Sequence, residues 1–77
     1  RPMVTVYSTP SCSQCVATYK LLERKGIAFE KITVDVTKDV EIVDQLRSYG
    51  FQQFPVVVAD DQKWAGFRPD MISKLAA

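Results

Sequence analysis

Histidine is absent from this chain of 77 residues, and cysteine occurs only twice. Without an imidazole there is no Cys-His or Ser-His nucleophile pair, no HExxH site and no Cys₂His₂ zinc finger. Two cysteines cannot complete a four-thiolate metal site, and they are too few for a disulfide-dense secreted scaffold. Excess charge is missing too. Ten Lys/Arg face nine Asp/Glu for a net charge of +1, so nothing electrostatic points to nucleic acid or a membrane surface as partner. No apolar run approaches the ~18 residues of a membrane-spanning helix, and no secretory signal pattern opens the chain. What survives is chemistry that two thiols can perform.

The composition, 47% hydrophobic and 25% charged, is that of an ordinary soluble globular domain. A chain this short buries only about 60% of its unfolded surface, so one modest core is expected. Residues 3–77 read as a single domain. Arg1-Pro2 precede Met3, a natural start, and read as a processing or cloning remnant. An intracellular setting, the cytoplasm, is the simplest expectation, and there a cysteine pair more often works than staples.

Val4-Thr5-Val6-Tyr7 is short and rich in β-branched and aromatic residues, which predicts a strand. Ser8-Thr9-Pro10-Ser11 is a turn cluster leading into a helix over Ser13 to Lys25. Val16, Tyr19 and Leu22, with Cys15 beside them, form its expected inner stripe, and Gly26 sits where a left-handed cap belongs. Ile27 to Val36 alternates as a second strand. Thr37 is the expected N-cap of a helix from about Lys38 to Tyr49, with Val40, Val43 and Leu46 inward and Gly50 as its stop.

Val56-Val57-Val58-Ala59 is an unbroken apolar run suited to a strand buried on both faces. Asp60-Asp61-Gln62 predicts a hairpin turn, followed by a short strand near Lys63-Trp64-Ala65. Pro69 opens a last helix that turns Met71, Ile72 and Leu75 inward. The order β-α-β-α-β-β-α implies one parallel βαβ unit and one antiparallel pair, hence a four-stranded mixed sheet flanked by three helices.

Cys12-Ser13-Gln14-Cys15 falls where the first strand ends and the first helix begins. A cysteine with a pKa of ~8.5 is only a few per cent thiolate at neutral pH, and the thiolate is the reactive form. Unpaired backbone N–H groups and the macrodipole at a helix N-terminus stabilise an anion and lower the thiol pKa. Cys12 is therefore the expected exposed nucleophile, and Cys15, one turn further in, the resolving thiol within disulfide reach. No Asp or Glu occurs between Arg1 and Glu23 to oppose that shift. A stapling disulfide is the plainer alternative, but so short a loop stabilises by only about 2 kcal/mol. A metal or iron–sulfur half-site completed by a second chain is another.

From local sequence, Pro55 reads as a strand-starting proline, though an X-Pro bond adopts the cis form at modest cost. Trp64 and Phe67 fit either core aromatics or an exposed patch for a partner, with Arg68 supplying hydrogen bonds.

Val4-Thr5-Val6-Tyr7, Cys12-Ser13-Gln14-Cys15, Gln53-Phe54-Pro55-Val56-Val57-Val58 and Trp64-Ala65-Gly66-Phe67-Arg68-Pro69-Asp70 together resemble the glutaredoxin/thioredoxin superfamily. More narrowly, the chain resembles the glutaredoxin-like NrdH-redoxins, with Ser13 where their commoner motif has valine. The resemblance implies a thioredoxin fold with Pro55 cis against the cysteine pair, and Phe54 presenting its backbone to an extended substrate segment. It implies partner contacts at Pro10, Ser13, Gln14, Phe54, Pro55, Gly66, Phe67 and Arg68, and reductase docking at Trp64. It also implies a role: donating electrons to the large subunit of a class Ib ribonucleotide reductase, with recharging by thioredoxin reductase.

A redox-active Cys12–Cys15 disulfide would then carry the electrons in a monomer, with no cofactor and no metal. Glutathione-using relatives carry a cation shortly before the first cysteine, a Thr-Val-Pro loop and a Gly-Gly-x-Asp-Asp segment. Here those stretches read Ser8-Thr9-Pro10, Gln53-Phe54-Pro55 and Gly66-Phe67-Arg68-Pro69-Asp70, which removes contacts a glutathione carboxylate needs. A glutathione-coupled glutaredoxin, a metal- or cluster-bridged dimer and an inert binding module are the competing expectations.

Overall fold

The computed structural model describes residues 4–59 and 62–76. The elements follow the expected order: β1 (Val4–Ser8), α1 (Ser13–Arg24), β2 (Phe29–Thr33), α2 (Val40–Ser48), β3 (Val56–Ala59), β4 (Gln62–Ala65) and α3 (Pro69–Ala76). Helix α1 forms the crossover that a parallel β1–β2 pair requires. β3 runs antiparallel to β1, and β4 antiparallel to β3, so the sheet order is β2-β1-β3-β4. The turn expected at Asp60-Asp61 lies outside the described residues. On either side of it, Ala59 pairs with Gln62.

Register decides which side chains share a face. Val6 lies opposite Val57, and Val57 opposite Trp64. With Val4, Ala59, Leu22 and Ile72 they build the main core, which lies between the sheet and the packed pair α1 and α3. Val56 projects to the other face, where Leu46 of α2 is also buried. The apolar run of β3 is thus buried on both faces, except for half-buried Val58.

Helix ends follow their glycines. Beyond α1, Gly26 N–H donates to Glu23 O and Ile27 N–H to Leu22 O, both at 3.0 Å. Gly26 adopts φ +73°. This is a Schellman closure. The same pair of bonds closes α2 at Gly50 and Phe51.

Four expectations are corrected. Val16 is 46% exposed, and the buried stripe of α1 is Cys15, Thr18 and Leu22. Thr18 tolerates burial because its hydroxyl donates to Gln14 O at 2.9 Å. β2 is shorter than Ile27–Val36, since Ile27 is spent on closing α1. Helix α2 starts at Val40 with Asp39 as N-cap, not Thr37. The Thr37 N–H and hydroxyl both donate to Asp35 Oδ1, and Asp35 N–H donates to Asp39 Oδ2, an Asx turn that delays the helix. This leaves Val40 54% exposed, and only Leu46 of the expected stripe is fully buried.

Candidate active site

Strand β1 ends at Ser8, and the chain reverses through Thr9–Ser11 into α1. The reversal needs Ser11 at φ +61°, a left-handed conformation uncommon for a residue with a Cβ. Cys12 then takes the N-cap position with extended backbone. Its Sγ accepts a hydrogen bond from Cys15 N–H at 3.1 Å, and its carbonyl accepts from Val16 N–H at 3.2 Å. A thiolate at Cys12 Sγ would therefore face a backbone donor and the positive end of the helix. The first turn of α1 contains no acidic residue.

The two cysteines form a disulfide with Cα atoms 5.2 Å apart. They are not equivalent. Cys15 is 2% exposed, whereas Cys12 is half-buried and lines two grooves. One, of about 370 Å³, is bordered by Ser11, Cys15, Val16 and Tyr19. The other, of about 360 Å³, runs between the cysteine motif and the proline loop, bordered by Thr9, Ser11, Ser13, Gln14, Gln53 and Phe54. Among the described residues no charged side chain lines either groove. Tyr19 closes the first: its ring stacks on Phe29 with centroids 5.6 Å apart, Lys31 Nζ sits over it at 4.9 Å, and its hydroxyl donates to Ser8 Oγ.

The Phe54–Pro55 peptide is cis and Pro55 is buried, which corrects the local-sequence reading of a plain strand-starting proline and agrees with the resemblance. Pro55 O accepts from Gly66 N–H at 2.7 Å, which ties the proline loop to the turn between β4 and α3. Gly66 adopts φ +86°, and a Cβ there would lie 2.9 Å from Gln53 Nε2 and 3.8 Å from Gln14 Oε1. Three distant segments thus meet at one glycine. Beyond Phe54 a further groove of about 330 Å³ opens under α2, walled by Val36, Val43, Leu46, Phe51 and Val56 with Arg47 alongside.

Among the anticipated partner-contact residues, Ser13, Gln14 and Phe54 border the groove beside Cys12, and Gly66 packs against it. Pro10 is exposed but lines neither groove. Phe67 is 38% exposed. Arg68 clasps Asp70, with Nε to Oδ1 at 3.2 Å and Nη2 to Oδ2 at 3.0 Å, which engages two of its five donors. The clasp holds the Asp70 carboxyl below its usual range and raises Arg68. Trp64 is corrected. It is 3% exposed within the core, because β4 turns it toward α1 and α3, so its ring offers no docking surface. Sequence reasoning missed Thr9, Ser11 and Gln53 as site residues; being small or polar and aperiodic, they carry no signal before the loops are folded. Among the described residues no group of three or more His, Cys, Asp or Glu is placed to hold a metal ion, and no helix is long and apolar enough to cross a membrane.

A glutaredoxin family profile matches residues 4–64. Glutaredoxin-like protein NrdH of Salmonella typhimurium is 47% identical over 72 residues, covering 94% of this chain and 86% of that protein. The chain belongs to the glutaredoxin family, among its NrdH members. The NrdH protein of Lactococcus lactis subsp. lactis is 42% identical over 74 residues, 96% of this chain and all of that one. Among solved structures, the NrdH-redoxin of Escherichia coli superposes with a TM-score of 0.85 at 45% identity, covering 95% of this chain and 93% of that one. It is described there by a thioredoxin-like activity profile. A glutaredoxin of Archaeoglobus fulgidus gives 0.80 at 26% identity, over 94% and 83%. This NrdH-type chain therefore has the thioredoxin fold, and its Cys12–Cys15 pair is that of a CxxC dithiol–disulfide oxidoreductase.

Proposed function

We propose that this protein is an electron carrier that takes two electrons from thioredoxin reductase and delivers them to the large subunit of a class Ib ribonucleotide reductase. The observation that carries the chemistry is the placement of Cys12 Sγ at the N-cap of α1, with Cys15 buried one turn behind it. The Cys12 thiolate attacks one sulfur of a partner disulfide; a mixed disulfide forms, and the other partner sulfur leaves as a thiolate and takes up a proton. Cys15 then gives up its proton and attacks Cys12 Sγ. The Cys12–partner bond breaks, the second partner thiol is released, and the Cys12–Cys15 disulfide remains. The exchange passes two electrons from the cysteine pair to the partner disulfide and calls for no bound cofactor or metal.

The choice of partners is supported by the NrdH relatives and by the thioredoxin-like profile of the E. coli protein. Reductase rather than glutathione as the electron source is supported by the groove beside Cys12, where a glutathione carboxylate meets no cation among the described residues. The protein acts as a monomer in the cytoplasm. The test follows NADPH consumption with thioredoxin reductase, and separately with a glutathione system, using an oxidised class Ib ribonucleotide reductase as acceptor. Turnover with thioredoxin reductase is expected, and a Cys15→Ser variant accumulates a covalent complex with the acceptor while Cys12→Ser forms none. Turnover with glutathione alone, or native rates from Cys12→Ser, would overturn the assignment.

A further inference from the structure

The groove between the cysteine motif and the proline loop contains two side chains that the thiol chemistry does not use. Gln14 enters from the first turn of α1 and Gln53 from the residue before Phe54, and both border the groove that holds Cys12. Their carboxamides converge over Gly66, where the place of an absent Cβ lies 2.9 Å from Gln53 Nε2 and 3.8 Å from Gln14 Oε1. Any larger residue with its side chain in that place would displace Gln53. The missing side chain at Gly66 therefore seats the pair, and the bond from Gly66 N–H to Pro55 O keeps that seat in register with the proline loop. Among the described residues neither carboxamide has a hydrogen-bond partner, and both residues are exposed.

We propose that Gln14 and Gln53 form an uncharged carboxamide clamp holding the backbone of an extended, disulfide-bearing polypeptide segment across Cys12. Each carboxamide offers a carbonyl acceptor and an NH₂ donor, the same complement that a peptide unit presents. A free carboxylate or ammonium entering the same groove would lose hydration and find no opposite charge among the described residues that line it. The clamp therefore selects internal chain segments over small zwitterionic disulfides. It rests on the oxidoreductase reading above and adds the substrate class: a protein disulfide with neutral flanks, read by amides on both sides of the groove.

The test uses two synthetic disulfide peptides that differ only in the residues flanking the disulfide, aspartate in one and lysine in the other. KM is measured for the wild-type protein, Gln53→Glu and Gln53→Lys. In the expected result Gln53→Glu raises KM for the aspartate peptide and lowers it for the lysine peptide. Gln53→Lys does the reverse, each change being roughly threefold for an exposed charge pair. The same inversion with Gln14→Glu and Gln14→Lys extends the test to the other arm, and serves alone should either Gln53 variant fail to fold. Because both peptides are compared on one protein, a purely structural effect of a substitution moves both KM values together. Equal changes for the two peptides, or none, would overturn the clamp while leaving the oxidoreductase reading intact. A wild-type protein that reduces neither these peptides nor a third with serine at the flanking positions would overturn both.

Discussion

The backbone N–H of Cys15 donates to Sγ of Cys12 at 3.1 Å, so the first cysteine caps the helix whose first turn holds the second. In the proposed mechanism Cys15 would supply the resolving sulfur from its side chain and a donor to the attacking sulfur from its backbone. In this chain without histidine, the proposed mechanism gives the activating part to a helix terminus.

That arrangement is testable by titration. In a Cys15→Ser variant, the pH dependence of Cys12 alkylation by iodoacetamide is expected to report a pKa below the free-thiol value of ~8.5. Placing a carboxylate beside the sulfur with Ser13→Asp opposes the thiolate, and is expected to move the midpoint upward and slow alkylation at neutral pH. A midpoint at the free value in the parent variant would mean that the helix end does not activate this thiol.

Ser11 carries the backbone cost of presenting Cys12. At φ +61°, a β-branched side chain is expected to destabilise the fold by about 1–2 kcal/mol. Ser11→Val should therefore lower the urea midpoint of the oxidised protein. Ser11→Gly should move it little, because relief of the left-handed geometry is offset by greater freedom of the unfolded chain. Equal stability of the valine and glycine variants would remove Ser11 from this account.

Gly66 and Gly26 offer an internal comparison. Both have positive φ, but an added Cβ meets nothing within 4 Å at Gly26 and comes to 2.9 Å from Gln53 Nε2 at Gly66. Alanine at either position bears the left-handed penalty of about 1 kcal/mol. Only Gly66→Ala should also displace Gln53, raising KM for peptide disulfides in steady-state assays while Gly26→Ala leaves KM as it was. A rise of equal size in both variants would count against Gly66 as the seat of the pair.

Much of this arrangement is legible in the sequence, and the exceptions have physical causes. The C-terminal end of α1 can be read from Gly26 because that cap is local. The inner stripe of α1 cannot, since Thr18 is polar and its burial depends on a bond to Gln14 O that hydropathy does not register. Thr37 resembles an N-cap, but the Asp35 carboxylate competes for its donors and wins. At the site, the cysteine pair is visible at once, and the resemblance supplies the cis proline. The meeting of Gln14, Gln53 and Gly66 depends on three loops brought together by the sheet, and no spacing in the chain encodes it.

The Arg68–Asp70 clasp predicts an acid-side dependence of stability. The hydrogen bond from Arg68 holds the Asp70 carboxyl below its usual value, and Thr37 does the same for Asp35. In the window between the lowered folded pKa and the ordinary unfolded value of ~3.9, the unfolded chain binds more protons, so stability rises with pH. The contribution is present in full above that window and is lost as pH falls through the folded value. Asp70→Asn is expected to flatten part of this acid limb in urea midpoints measured from pH 7 downward. An unchanged limb would show that solvent screening cancels the clasp.

Only one of the two sulfurs faces solvent to any extent, because Cys15 is 2% exposed beneath Cys12. A donor that reduces the disulfide and an acceptor that reoxidises the thiols must therefore approach the same atom from the same side. They cannot occupy the protein together. Each round trip then requires the first partner to leave before the second arrives, and double-reciprocal plots at varied donor concentration should be parallel rather than convergent. With one doorway for two customers, the rate at which partners let go sets the throughput as much as the chemistry of sulfur exchange.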